Sequence, residues 1–156
     1  MFLPKRVLEE KLLRFLKEDL GQGDITTSLT IPEKTVVEAE VVVKEGGIVA
    51  GVEEAMVLCE SLKLQAKALK HDGTRVKPQT PILHITGDAR ALLSAERTLL
   101  NLLSRMSGIA TMTNNLVRRV APYKTRVACT RKLAPGLAYF DKKAVSLGGG
   151  DAHRLH

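Results

Sequence analysis

Aromatic side chains are scarce in this chain, 3% of 156 residues with no tryptophan. Single-stranded nucleic-acid binders stack bases on aromatic faces, and the basic part of the chain offers only Tyr123, Tyr139 and Phe140. Nucleic acid is therefore not the expected partner, despite a formal net charge of +7. Cysteine is nearly as rare: Cys59 and Cys129 make neither a disulfide framework nor a metal site, and both read as small apolar residues. His71, in a turn, and His84, in a strand, have no second ligand at metal spacing. No apolar run approaches the ~20 residues needed to span a bilayer, and the opening Met1-Phe2-Leu3-Pro4-Lys5 lacks the order of a secretion signal. These absences predict a soluble, cytoplasmic protein with no membrane partner. The 44% hydrophobic content is enough for a core of one domain, or of one domain and part of another.

What is present is charge in one place. From Arg118 onward there are nine Lys and Arg against two acids, Asp141 and Asp151, whereas Met1 to Val117 carries fifteen of each sign. The whole excess thus sits in the last quarter of the chain, the footprint of an anion site or of a nucleic-acid surface. Val127, Ala128 and Cys129 read as a short buried strand that ends in Arg131 and Lys132 before the turn pair Pro135-Gly136. Two adjacent cations at the end of a buried strand are costly to desolvate unless an anion meets them. A second cationic pair, His153-Arg154, follows the triple glycine Gly148 to Gly150. Both pairs are placed to converge on one anionic ligand.

Upstream, Leu8, Leu12, Phe15 and Leu16 recur on one face of a helix that runs to about Asp19 and stops at Gly21-Gln22-Gly23. Asp24 with Thr26 and Thr27 reads as a cap or turn. Val36 to Val43 and Ile48 to Ala50, divided by Gly46-Gly47, predict a hairpin. A helix over Glu53 to Leu62 follows, then strands near Leu62–Ala68 and Ile82–Ile85. The longest helix is expected from Ala89 to about Met106, broken or bent at Ser107-Gly108-Ile109-Ala110-Thr111, with a second helical run to Val120. Arg97 falls between Leu93 and Leu100 on its apolar face, where it must pair locally or enter a polar pocket. Leu137 to Leu147 reads as a helix, so strand, helix and glycine turn together make a β/α unit, whose strand ends are where a barrel builds its site.

Several motifs, in order over essentially the whole chain, resemble quinolinate phosphoribosyltransferase. They are Glu18-Asp19-Leu20-Gly21-Gln22-Gly23-Asp24-Ile25-Thr26-Thr27, Lys44 to Gly51, Ala95-Glu96-Arg97 with Leu100-Asn101, Ser107 to Thr111, Thr130-Arg131-Lys132 with Pro135-Gly136, and Lys143-Ala144-Val145 through Gly149-Gly150 to His153-Arg154. The resemblance implies an α+β N-terminal sandwich domain, helices plus a small, mostly antiparallel sheet, over residues 1–115. The first unit of a truncated α/β barrel would follow over 116–156. It implies Mg²⁺-dependent reaction of quinolinate with phosphoribosyl pyrophosphate, in a homodimer with shared active sites. Carried over, Arg131, Lys132, His153 and Arg154 would hold the quinolinate carboxylates and nearby phosphate, and Arg97 would reach into the neighbouring subunit's site. No catalytic residue and no metal ligand is assigned within these 156 residues; both are expected in the family's downstream half, without which little or no turnover is expected. Leu133 and Ala138 depart from the family's usual Thr and Arg. A related molybdenum-transport-associated pyrophosphorylase, or a dimerising, dicarboxylate-binding remnant without turnover, are the alternatives.

Overall fold

The computed structural model describes residues 3–21 and 23–153. Helix α1 (Lys5–Leu20) buries Leu8, Leu12 and Leu16, the stripe its spacing predicts, and Gly21, at φ 53 and ψ −111, ends it in a backbone conformation open to glycine. Asp24 does cap, as expected, but what it caps is a short helix, α2 (Ile25–Thr30): its carboxylate accepts from the Thr27 N–H at 2.9 Å. The hydrogen bonds from Thr27 hold the Asp24 carboxyl below the usual aspartate range.

The predicted hairpin is not formed. Strand β1 (Val36–Val42) pairs antiparallel with β5 (Pro81–Asp88), and the two-residue β2 (Gly47–Ile48) pairs with β4 (Arg75–Val76). An eight-residue partner matches β1 along its length where a two-residue one does not, so the Gly46-Gly47 turn leads the chain away instead of back. Strand β3 (Gln65–Ala68) takes the other edge of β5, giving the order β1-β5-β3. Helix α3 (Val52–Ser61) packs on β3 and β5, with α1 and α4 beside it.

Helix α4 (Ala89–Val120) is one continuous element of 32 residues, not two. Ser107 and Thr111, four apart and so on one face, are what the sequence read as a break. Instead they serve as polar contacts for the segment from Ile48 to Ala50: Ser107 Oγ accepts from Ala50 N–H at 3.0 Å and donates to Ala50 O at 3.2 Å, and Thr111 Oγ1 accepts from Ile48 N–H at 2.8 Å. Gly108 has open space around it and disturbs nothing. Helix α5 (Ala138–Leu147), read in the sequence as a helix over Leu137 to Leu147, lies against α4. Phe140 and Ala144 from α5, fully buried, join Leu8, Leu58, Leu83 and Met106 in one core. Among the described residues no helix is long and apolar enough to cross a membrane.

Candidate functional site

The segment after α4 runs exposed to Arg126 and then meets the segment after α5. Ala128 and Asp151 form a parallel bridge, in which Cys129 N–H donates to Asp151 O at 2.9 Å and Asp151 N–H donates to Val127 O at 2.8 Å. The expected buried strand is therefore a single bridge, and Ala128 is exposed with Val127 and Cys129 half-buried. A single pair of bridged residues cannot cover both faces of a strand. The bridge still fixes direction. Arg131, three residues beyond Ala128, and His153, two beyond Asp151, leave from the same end of two adjacent parallel segments.

Local structure holds each cationic segment in place. Lys132 N–H donates to Thr130 Oγ1 at 3.1 Å, and Leu137 N–H to Ala134 O at 3.1 Å closes the turn through Gly136, where φ is 78. On the other segment Asp151 Oδ1 accepts from His153 N–H at 2.8 Å. His153 itself sits at φ 55, a left-handed conformation unusual for a non-glycine residue and a mark of a constrained position. Gly148 leaves no room for a side chain, since a Cβ there would stand 2.4 Å from Ala110 O on α4. Arg131 and Lys132 are exposed and make no ion pair with another described residue. His153 lines a cleft of about 590 Å³ beside the bridge, with Val117, Tyr123, Arg126 and Asp151. Arg154 lies outside the described residues.

Arg97 is not where the apolar spacing puts it. Its side chain is 73% exposed and pairs with Asp19 at 3.3 Å, on the opposite half of α4 from the bridge. The buried face runs through Ala95, Thr98, Leu99, Leu102, Leu103 and Met106, which leaves Leu93 and Leu100 at its exposed margin, and Glu96 and Arg97 beyond it. The leucine set is wider than one buried stripe, and the arginine falls outside it.

The densest polar group in the fold went unread in the sequence. Lys143, on α5, is 3% exposed, and its Nζ lies 2.8 Å from Glu53 Oε2, 2.8 and 2.9 Å from the two oxygens of Glu54, and 2.9 Å from Asp72 Oδ2. The Asp72 contact is an ion pair without hydrogen-bond alignment; its other oxygen accepts from Val52 N–H at 2.8 Å and caps α3. Tyr139 OH adds a bond to Glu54 Oε1 at 3.1 Å. Burial alone would push the Lys143 ammonium down, but Glu54, with Glu53 and Asp72, outweighs it and holds the group above the usual lysine range. Two residues back, Asp141 receives a two-pronged contact from Arg105 on α4, both arms at 2.8 Å, and that bond raises the Arg105 guanidinium. A signal was there: Glu54 takes a core register beside Ala55 and Leu58, and Lys143 stands between Phe140 and Ala144.

The family model described as quinolinate phosphoribosyl transferase, N-terminal domain, matches residues 24–107, and the one for the C-terminal domain matches residues 109–156. The chain belongs to the quinolinate phosphoribosyl transferase family. It is 44% identical over 151 residues to nicotinate-nucleotide pyrophosphorylase (carboxylating) of Mycobacterium leprae, covering 94% of this chain and 53% of that one. Against the Arabidopsis thaliana relative, named as chloroplastic, identity is 42% over 146 residues, covering 90% and 40%. The solved structure of the nicotinate-nucleotide pyrophosphorylase from Francisella tularensis superposes with a TM-score of 0.89 at 35% identity, over 99% of this chain and 55% of that one. The chain thus spans about half the length of the relatives it matches. The two family models meet at residues 107 and 109, inside α4.

Proposed function

We infer that this chain supplies the sandwich domain, residues 1–115, and the first β/α unit of the barrel, residues 116–156, of a quinolinate phosphoribosyltransferase. The reaction joins the phosphoribosyl group of phosphoribosyl pyrophosphate to the quinolinate nitrogen, releasing pyrophosphate and carbon dioxide and leaving nicotinate mononucleotide for NAD biosynthesis. The observation that supports it is the parallel pairing of Ala128 with Asp151, which sends Arg131 and His153 out of the same end of adjacent segments. In this reading Arg131, Lys132, His153 and Arg154 bind the carboxylates of quinolinate and the neighbouring phosphate. Guanidinium forks suit carboxylates because two N–H groups meet two oxygens in one plane. These residues bind and orient; the groups that stabilise the developing oxocarbenium ion and the leaving pyrophosphate are not among them.

The described residues do not fit the magnesium that the resemblance implies. Among them no group of three or more His, Cys, Asp or Glu side chains is disposed to hold a metal. The carboxylates of Glu53, Glu54 and Asp72 do come together, but around the Lys143 ammonium.

The reading also takes the protein to be a cytoplasmic homodimer in which Arg97 serves the partner's site. Its support is the exposure of Arg97 together with Leu93, Leu100, Ile25 and Leu29, the last 82% exposed. Calorimetric titration with quinolinate tests the anion site: the unaltered chain is expected to bind and Arg131→Ala to bind at least tenfold more weakly. Equal affinity of the two would remove Arg131 from the site.

A further inference from the structure

Helix α5 connects the two cationic segments. Residues 131–137 enter its first turn, and residues 148–153 leave its last. Its orientation therefore sets where both segments stand, and its first half is tied down by charge as well as by packing. Asp141, Lys142 and Lys143 are all 6% exposed or less. Asp141 is gripped by Arg105 of α4, while Lys143 reaches Glu53 and Glu54 of α3 and Asp72 of the turn between β3 and β4. Three parts of the sandwich thus hold one short helix by partners chosen for charge and direction, where an apolar face would allow it to slide or rotate by small amounts.

We propose that Lys143 and Asp141 are positioning residues, a polar brace that fixes α5 against α3 and α4 and so holds the bridge between Ala128 and Asp151, and the cations beyond it, in register. The proposal rests on the functional reading above only for what the braced segments bind. Asp141 lies ten positions after Arg131 and Lys143 ten before His153, and the partners of the two are Arg105, Glu53, Glu54 and Asp72, none of them a cation of the proposed site. Their effect passes through the orientation of the helix between them.

The test is amide hydrogen exchange on three forms of the chain: unaltered, Asp141→Asn, and the double variant Lys143→Met with Glu54→Gln. The double variant removes one charge of each sign and so avoids leaving Glu54 buried without its counter-charge. The brace predicts that protection of the Cys129 and Asp151 amides, which make the bridge, falls at least tenfold in both variants, while that of Leu83 and Ile85 in the central strand stays within about threefold. Unchanged protection at Cys129 and Asp151 overturns the proposal. A uniform fall at all four amides overturns it too, because it would make the cluster a matter of general stability. Exchange is read with no ligand present, so the outcome is independent of whether quinolinate binds.

Discussion

At the scale of single residues, the decisive comparison is between the cations left exposed and the one that is buried. Arg131 and Lys132 face solvent with no described ion-pair partner, which is what an anion-binding group requires before its ligand arrives. Lys143 is enclosed by three carboxylates and cannot serve a ligand at all. A buried ion pair adds little net stability when both partners form it, yet removing one partner strands a charge and costs roughly 3–5 kcal/mol. The pH dependence follows from the two shifted members. Glu53 is held below its ordinary value of 4.5, chiefly by the hydrogen bond from Lys143, so its contribution is present above that value and is lost as pH falls through the lower, folded one. Lys143 is held above its ordinary 10.5, so its contribution is complete below that value and is lost only as pH rises through the higher, folded one. Thermal melts should therefore show a plateau between those limits and a decline below pH 4.5 that is smaller in Glu53→Gln. An identical acid decline in that variant would show that Glu53 has no part in it.

At the scale of elements, periodicity was a good guide to α1, whose buried stripe is narrow, and a poorer one to α4, whose leucines outnumber its buried positions. Leu8, Leu12 and Leu16 mark α1 without ambiguity, whereas Phe140 and Ala144 prove to be the buried pair of α5 without having been singled out for it. Strand pairing was not legible, because β1 and β5 pair residues 39 (Val42 with Pro81) to 52 (Val36 with Asp88) positions apart and nothing local says that the Gly46-Gly47 turn does not close a hairpin. The supposed break in α4 misled for a related reason. Serine and threonine are poor helix formers in isolation, but Ser107 and Thr111 bond a neighbouring segment that the sequence does not place beside them. Their contribution can be measured. Ser107→Ala and Thr111→Ala each leave a backbone N–H, of Ala50 or of Ile48, without its partner, at a cost of about 1–3 kcal/mol. Urea denaturation should show this loss with helix content unchanged; a loss of helix content in either variant would mean that the hydroxyls support α4 itself.

At the scale of the whole molecule, one core spans both regions that the family models divide, and α4 is the beam they share. The residues proposed to bind the anion stand out in the sequence because unlike signals point to them: a charge excess confined to the last quarter, two cationic pairs beside glycine turns, and family motifs in order. Arg97 was legible as a motif but not as a position, since a leucine-rich helix looks apolar around more of its circumference than it buries. Its exposure beside Leu93 and Leu100 bears on assembly. Sedimentation should report a dimer for the unaltered chain, weakened toward monomer by Leu100→Lys; a monomer at all concentrations would remove the shared site from the account.

The convergence of Arg131 and His153 on one dicarboxylate is tested most directly by a double-mutant cycle, titrating quinolinate into the unaltered chain, Arg131→Ala, His153→Ala and the pair. Residues that hold one ligand together depart from additivity by about 0.5–3 kcal/mol, whereas independent ones add. The account predicts weaker binding in each single variant and a coupling within that range. Losses that simply sum, or an unaltered chain that does not bind quinolinate, would contradict it.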